Sequence, residues 1–318
     1  MEVSGICGIC PGGCGVKIHM QDGRISRIAP LRGHPQGICC PRGTRASEIV
    51  YSPDRLLHPL KRVGPRGEGQ FVRVSWDEAL DTIAEQLEQV AGKFGPQAVC
   101  MYTGRGTFER SLWELLSPAG VRESSAWNLL FPFGSPNTTG VGAICYVAHG
   151  VIAPVTTFGV WGIDTFADIE NSDLVVIWGG NPATDSPPIN LNRIRKAQEK
   201  GAEVVIIDHR RTEAVRATRG HWVGIRPGTD GALALGMIQV VIEEGLYERD
   251  FVEKWALGFE ALAAYVAQFT PERVESITRV PADEVRRMAR ALASAKGAAL
   301  VSYTGLEYTN SGTQNIRA

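Results

Sequence analysis

The sequence has 318 residues, 44% of them hydrophobic and 21% charged, which is typical of a globular protein with two or three domains. Its 36 glycines and 18 prolines stay below the ~25–30% that marks disordered or low-complexity chains. With 33 basic and 34 acidic residues, the formal net charge of −1 gives no reason to expect nucleic acid or an anionic membrane as a partner.

The sequence contains no stretch that predicts a membrane helix. The most apolar run, residues 233–242, is about half as long as the ~20 residues that a span needs. Cys7 comes before the charged and apolar regions of a signal peptide could fit. We therefore expect a cytoplasmic protein without a membrane span; an export signal outside this sequence would instead place it in the periplasm.

The first 60 or so residues predict a small unit built around a hairpin. Residues 16–19 and 25–29 are short apolar-patterned segments, and Asp22-Gly23 between them is a typical hairpin turn. Loops rich in glycine and proline flank the hairpin on both sides.

Five of the seven cysteines fall in this region, at positions 7, 10, 14, 39 and 40. A reducing cytosol disfavours disulfides and favours a metal centre. Four thiolates suit tetrahedral zinc or a [4Fe-4S] cluster. Zinc sites usually have two pairs of cysteines, whereas three from one loop and one from another favour an iron–sulfur cluster. The spacing leaves the fourth ligand open between Cys39 and Cys40.

The middle of the chain predicts one long helix and one strand. Ser75 and Glu78 form a capping box before an apolar helical periodicity that ends at Gly95-Pro96. Residues 98–102 predict a buried strand, with Cys100 as a core residue.

From residue 173 the pattern predicts an α/β domain with a parallel sheet. Apolar strands at 174–178, 203–207 and 298–303 alternate with helices. One helix begins at Pro187-Pro188, one is capped by Asp230 and runs through Glu244, and two more begin at Pro271 and Pro281.

A glycine-containing turn follows the first of these strands. Gly179-Gly-Asn-Pro182 stands between a strand and a helix, where glycines let the backbone approach a pyrophosphate. The turn lacks the G-x-G-x-x-G spacing, so it is a weak nucleotide signal by itself. Asp208 and Arg210 end the next strand, where an acid suits guanine or ribose and an arginine suits phosphate.

Several motifs together resemble one enzyme family. Residues 7–16 (CGICPGGCGV) and 37–43 (GICCPRG) resemble the amino terminus of molybdopterin oxidoreductases of the dimethyl-sulfoxide-reductase superfamily. Residues 52–56 (SPDRL) and 74–79 (VSWDEA) are similar to further motifs of that family. The resemblance implies a small [4Fe-4S] domain with antiparallel hairpins, followed by Rossmann-like α/β domains with parallel sheets.

The resemblance also implies roles for individual residues. Its Cys-x-Lys/Arg-Gly motif selects Cys40 as the fourth cluster ligand and gives Arg42 the role of a cation that assists electron transfer between cluster and pterin. Cys145 occupies about the position of the molybdenum or tungsten ligand. The implied contacts to bis-molybdopterin guanine dinucleotide are Gly179, Gly180, Asn181, Pro182, Thr184, Asp208, Arg210, Gly228 and Asp230. At position 209 this chain has His where the family usually has Pro.

The resemblance implies two-electron oxidation or reduction of a small substrate. The residue after Cys145 is Tyr146, whereas formate dehydrogenases of the family usually have His there, so we expect thiosulfate, polysulfide or an arsenic oxyanion rather than formate. His149, four residues after Cys145, is interpreted as a polar loop residue; it would replace the missing proton acceptor only if the loop folds back. The alternatives are a formate dehydrogenase of the same superfamily, a metal-free electron-transfer subunit resembling the large iron–sulfur subunit of respiratory complex I, and a zinc-ribbon binding module.

The expected organisation is a [4Fe-4S] domain at 1–62, an α/β domain at 63–140 and a dinucleotide-binding-like α/β domain at 141–318. Residues 312–318 resemble the middle of a family segment, so we expect an amino-terminal part of a longer catalytic subunit. The expected partner is an iron–sulfur electron-transfer subunit.

Overall fold

The computed structural model describes residues 1–10, 13–34, 37–103, 130–140, 147–159, 167–184 and 189–318. The chain divides into two compact units, Met1–Gly142 and Ala143–Ala318. None of the helices in these described ranges combines the length and the hydrophobicity needed to cross a membrane.

The first unit begins with a three-stranded antiparallel sheet in the order β1-β2-β3. Its strands are β1 (Glu2–Ile6), β2 (Gly15–Gln21) and β3 (Arg24–Pro30). Asp22 and Gly23 join β2 to β3 with φ values of 50° and 75°, the left-handed pair that a two-residue turn needs. The predicted hairpin is therefore confirmed.

The rest of the first unit contains short elements and one long helix. They are α1 (Pro41–Thr44), α2 (Ala46–Val50), the antiparallel pair β4 (Leu60–Arg62) and β5 (Phe71–Arg73), α3 (Trp76–Phe94), α4 (Leu130–Phe133), and the parallel pair β6 (Met101–Thr103) and β7 (Thr138–Gly140).

The long helix begins as predicted, because the Ser75 hydroxyl accepts a hydrogen bond from the Glu78 amide at 3.1 Å. The Glu78 carboxylate instead accepts from Lys61 Nζ at 3.1 Å. The predicted strand at 98–102 was misplaced, since Pro96–Ala98 forms a 3-10 turn and pairing begins at Met101. Cys100 is exposed, so the prediction of a core cysteine was wrong.

The second unit alternates strands and helices, as the sequence predicted. After a π-helix (Ala148–Ile152) come α5 (Ala153–Phe158), β8 (Leu174–Trp178), α6 (Ile189–Glu199), β9 (Glu203–Asp208), α7 (Glu213–Thr218), β10 (His221–Gly224), α8 (Asp230–Glu243), α9 (Arg249–Trp255), α10 (Phe259–Val266), α11 (Pro271–Thr278), α12 (Ala282–Ser294), β11 (Ala298–Ser302) and α13 (Gly312–Arg317).

The four strands of this unit form a parallel sheet in the order β10-β9-β8-β11. Every residue of β8 is buried, because helices cover both faces of the sheet. Helices α6 and α7 pack on one face, and α8, α11 and α12 pack on the other. The expected α/β class, with antiparallel hairpins first and a parallel sheet later, is confirmed.

Candidate functional site

Five cysteines of the first unit lie close together, and their proximity affects the ionisation of two of them, Cys14 and Cys39. Burial raises the pKa of the Cys14 thiol, and the neighbouring Cys7, Cys10 and Cys40 raise it further. Burial, followed by the neighbouring Cys7, Cys14, Cys40 and Cys10, raises the pKa of Cys39 to about 12. Thiolates repel one another unless cations lie between them, and iron or another metal supplies those cations. The donor set therefore fits a thiolate-ligated cluster.

The turn that follows Cys40 approaches these thiols closely. Helix α1 begins directly after Cys40, and a Cβ added at the buried Gly43 would lie 2.5 Å from Cys39 Sγ and 3.0 Å from Cys7 Sγ. Only glycine allows this approach. Arg42 lies on the same turn and is exposed. Within the described residues, no three Cys, His, Asp or Glu side chains converge as they would around a single metal ion.

In the second unit, the glycine turn after β8 lies where the order of the parallel strands reverses. The chain runs from β8 outward to β9 and β10 and then returns to β11 on the other side of β8. Ligands of open α/β sheets bind outside the carboxyl ends of the strands at such a reversal point. Gly179 has φ of 62°, and its amide donates to Ile207 O at 3.1 Å.

The segment after β11 packs against this turn. The Gly305 amide donates to Gly179 O at 3.0 Å, and the Tyr303 amide donates to Trp178 O at 3.2 Å. A Cβ at Gly180 would lie 2.9 Å from Tyr303 Cβ. These glycines therefore permit two chain segments to meet, in addition to the predicted role of exposing backbone to a ligand.

Asn181 connects the turn to the start of helix α7. Its Nδ2 donates to Thr184 Oγ1 at 2.7 Å and to Glu213 Oε2 at 2.6 Å, and its Oδ1 accepts from the Ala214 amide at 3.1 Å. Asn181 and Pro182 are buried, whereas Thr184 is exposed. The side chain of Asn181 therefore fixes the shape of the turn.

Asp208 and Arg210 lie at the carboxyl end of β9, as predicted. Asp208 Oδ1 accepts from the Arg210 amide at 3.1 Å, and His209 Nδ1 lies 3.2 Å from the same oxygen. The Arg210 guanidinium is about half exposed and pairs with Glu213 at 3.5 Å. This strand end presents a carboxylate and a guanidinium, which suit a base or ribose and a phosphate respectively.

Asp230 does not cap helix α8 as predicted. The cap position is Thr229, and Asp230 is the first helical residue. Its Oδ1 accepts from Trp178 Nε1 at 2.8 Å, because the buried indole needs an acceptor. Burial raises the pKa of Asp230, and the nearby Asp208 raises it further. Gly228, with φ of 79°, forms the turn before this helix.

His149 belongs to a network that was missed in the sequence. Its Nδ1 lies 2.7 Å from Glu307 Oε1, and its Nε2 lies 3.0 Å from Ser302 Oγ. Glu307 is 158 residues away, so no local pattern could have predicted the contact. His149 is therefore a π-helix residue that is hydrogen-bonded to Glu307 and to Ser302 of strand β11, and it is not the polar loop residue that was expected.

Cys145 and Tyr146 lie outside the described residues. The role of Cys145 as a metal ligand stays a prediction, as do the individual ligand assignments of the other cysteines and of the residues at the sheet edge. The fold brings the predicted pterin contacts Gly179, Gly180, Asp208 and Asp230 to one end of one sheet.

Two family models match the chain and divide it between them. Residues 1–52 match the molybdopterin oxidoreductase Fe4S4 domain, and residues 55–304 match molybdopterin oxidoreductase. They assign molybdopterin and a [4Fe-4S] cluster to this chain as its cofactors.

Several curated proteins and a solved structure are similar over nearly the whole chain. Dimethyl sulfoxide reductase DmsA of Escherichia coli is 31% identical over 91% of this chain, and formate dehydrogenase H of Escherichia coli is 32% identical over all of it. The structure of acetylene hydratase from Pelobacter acetylenicus covers 99% of the chain with a TM-score of 0.76 and 28% identity.

The chain spans less than half of each of these relatives, namely 39% of the dimethyl sulfoxide reductase, 43% of the formate dehydrogenase and 42% of the acetylene hydratase chain. The family models and the folded sheet agree with the resemblance carried by the cysteine, glycine and aspartate motifs. The chain belongs to the molybdopterin oxidoreductase family of the dimethyl-sulfoxide-reductase superfamily, and it matches the amino-terminal part of the catalytic subunit.

Proposed function

We propose that the protein is the catalytic subunit of a molybdenum or tungsten bis-pterin oxidoreductase that transfers two electrons to or from a small substrate. The observation that carries the proposal is that one chain combines two features: five neighbouring thiols in the first unit and a glycine turn at the reversal point of the parallel sheet in the second. When bound, the pterin and its metal supply the redox chemistry.

In the first unit, the chain's part is to hold a cluster. Cys7, Cys10, Cys14 and Cys40 are the proposed ligands, and Gly43 lets the following turn lie against them. Arg42 is on that turn and carries a guanidinium cation. We assign it the role of a fixed positive charge beside the cluster loop.

In the second unit, the carboxyl ends of the strands bind the pterin dinucleotide. The backbone of Gly179 and Gly180 accommodates pyrophosphate, and Pro182 and Thr184 complete the turn that Asn181 holds. Asp208 and Asp230 recognise the base or ribose, Arg210 neutralises phosphate, and Gly228 provides the turn before helix α8.

Cys145 is the proposed protein ligand of the metal, since a thiolate is a good ligand for soft metals. The neighbouring Tyr146 lacks the proton-accepting imidazole expected for formate oxidation. We therefore propose thiosulfate, polysulfide or an arsenic oxyanion as the substrate class. The thiosulfate reductase PhsA of Salmonella typhimurium, 32% identical over 93% of the chain, supports the sulfur oxyanion choice.

An iron–sulfur subunit is the proposed electron partner. PhsA is named as a molybdopterin-containing subunit, which supports an assembly of several chains. Reduced cysteines for cluster assembly favour the cytoplasm as the compartment.

Reduced-viologen oxidation tests the proposal in the anaerobic full-length protein, with thiosulfate, polysulfide, arsenate and carbon dioxide as separate acceptors. We expect turnover with one of the first three. Cys145→Ala should lower it at least ~100-fold and leave the iron–sulfur absorption unchanged. Cys100→Ala is the matched control, because Cys100 is exposed, and should keep full activity. Full activity in Cys145→Ala would contradict the ligand assignment, and turnover with carbon dioxide alone would make the protein a formate dehydrogenase.

A further inference from the structure

A carboxylate in the second unit binds a histidine side chain together with two backbone amides, that of the histidine and that of the residue before it. The Glu307 side chain is only 6% exposed, and its Oε1 lies 2.7 Å from His149 Nδ1. Its Oε2 accepts from the Ala148 amide at 3.1 Å and from the His149 amide at 3.4 Å. One buried carboxylate thus satisfies three donors, and removing its charge leaves them with a weaker acceptor.

These contacts favour one tautomer of the imidazole. Glu307 already accepts from two backbone amides, and the matching arrangement at its other oxygen has Nδ1 of His149 as the donor. Nε2 then faces Ser302 Oγ at 3.0 Å, from which a neutral imidazole accepts. Carboxylates orient metal-site and catalytic histidines in the same way, by fixing the ring and its tautomer.

The network lies at the end of the sheet where the glycine turn is. Ser302 is the last residue of β11 and pairs in register with Trp178, the residue before Gly179. Five residues after Ser302 comes Glu307, and between them Gly305 donates to Gly179 O. The segment 302–307 therefore contacts the proposed pterin turn and His149 together.

The residues held by Glu307 also have an unusual backbone. Ala148–Ile152 is a π-helix, a rare conformation that is frequent at functional sites. Along the sequence, Ala148 comes three residues after Cys145, the proposed metal ligand.

We propose that Glu307 is a positioning residue of the oxidoreductase site. It fixes the His149 imidazole, in one tautomer, and the start of the π-helix against the carboxyl end of the sheet, beside the pterin turn. The inference rests on the proposed function, and it adds a residue that none of the sequence motifs contains.

The test compares Glu307→Gln with Glu284→Gln in the anaerobic full-length holoenzyme. Glu284 also pairs with a histidine, His221 Nε2 at 2.9 Å, but at the first residue of β10, the opposite end of the sheet. Glu307→Gln should lower kcat about 10- to 100-fold, change the KM little, and shift the paramagnetic signal of the pterin-bound metal. The [4Fe-4S] signal should stay unchanged, and Glu284→Gln should match the wild type in every readout.

Hydrogen exchange gives a readout that does not need activity. In Glu307→Gln, the amides of a peptide covering residues 147–158 should exchange faster, while a peptide covering β9 should not. Ser302→Ala removes only the contact of Ser302 Oγ with His149 Nε2, and it is the second variant to measure if Glu307→Gln fails to fold. It should shift the metal signal in the same direction as Glu307→Gln.

An unshifted metal signal with normal kcat, in folded Glu307→Gln or in Ser302→Ala, would overturn the inference and leave the proposed function intact. Wild-type protein that contains neither molybdenum nor tungsten would overturn the proposed function, and this inference with it.

Discussion

At the residue scale, the Trp178–Asp230 hydrogen bond links the buried strand β8 to the start of helix α8. The indole lies at the end of the buried strand β8, and its Nε1 needs an acceptor. Asp230 supplies that acceptor instead of capping its own helix. The carboxylate is thereby buried near Asp208, and the pKa of Asp230 rises.

The raised pKa of Asp230 predicts a pH-dependent effect of Asp230→Asn. Because the folded state binds this proton more tightly than the unfolded state, the wild type loses stability as pH rises from the unfolded pKa, near 3.8, through the folded pKa. Asparagine still accepts from Trp178 but does not ionise. The unfolding free energy of the variant minus that of the wild type should therefore increase between pH 4 and pH 7. Urea unfolding of the cofactor-free protein at both pH values measures it, and a pH-independent difference would contradict the argument.

The adjacent pair Cys39 and Cys40 gives a second prediction at this scale. Both thiols lie among the other cysteines, and only one is proposed to bind the cluster. Cys40→Ala should lose the [4Fe-4S] signal, and Cys39→Ala should keep it. Iron content and electron paramagnetic resonance of the two variants decide between them. The reverse pattern would show that Cys39 is the ligand.

At the scale of elements, the carboxyl ends of β8 and β11 are joined through glycines. Gly179 and Gly305 meet backbone to backbone, so the glycine turn (residues 179–182) packs against a segment far along the chain. The distant segment also carries Glu307 and Ser302. A substitution in the 302–307 segment should therefore weaken cofactor binding more than it destabilises the strands.

Gly305→Ala tests this dependence. A Cβ at Gly305 would meet Gly179 O well inside van der Waals distance, and a backbone atom cannot turn away as a side chain can. We expect a loss of about 1–3 kcal/mol in unfolding free energy and a lower molybdenum or tungsten content. Gly297→Ala is the matched control at the other end of β11, where the nearest atoms are 3.6 Å from the added Cβ. Equal metal content in the two variants would refute the dependence.

The sequence predicted those elements whose signals are local. The Asp22-Gly23 turn, the Ser75 cap and the apolar strand at 174–178 each depend on a few adjacent residues. Trp178 and Asp230 are 52 residues apart, and His149 and Glu307 are 158 apart, so those contacts arise only when the sheet forms. The pairing of β6 with β7 was missed for the same reason.

At the scale of the whole molecule, the residues proposed to hold the cluster and the residues of the parallel sheet proposed to hold the pterin belong to different units. The thiols belong to Met1–Gly142, and the parallel sheet with its glycine turn belongs to Ala143–Ala318. The expected boundaries at 62 and 140 stay a prediction. Relatives at 31–32% identity include a dimethyl sulfoxide reductase, a formate dehydrogenase and an acetylene hydratase, so overall similarity does not select a substrate.

Elemental analysis of the full-length protein, purified without oxygen, tests the central claim most directly. We expect about four iron atoms and about one molybdenum or tungsten atom per chain, and no stoichiometric zinc. Iron without molybdenum or tungsten would contradict the claim and indicate an electron-transfer subunit. Zinc as the sole metal would contradict it too, and would make the cysteine loops a structural zinc site.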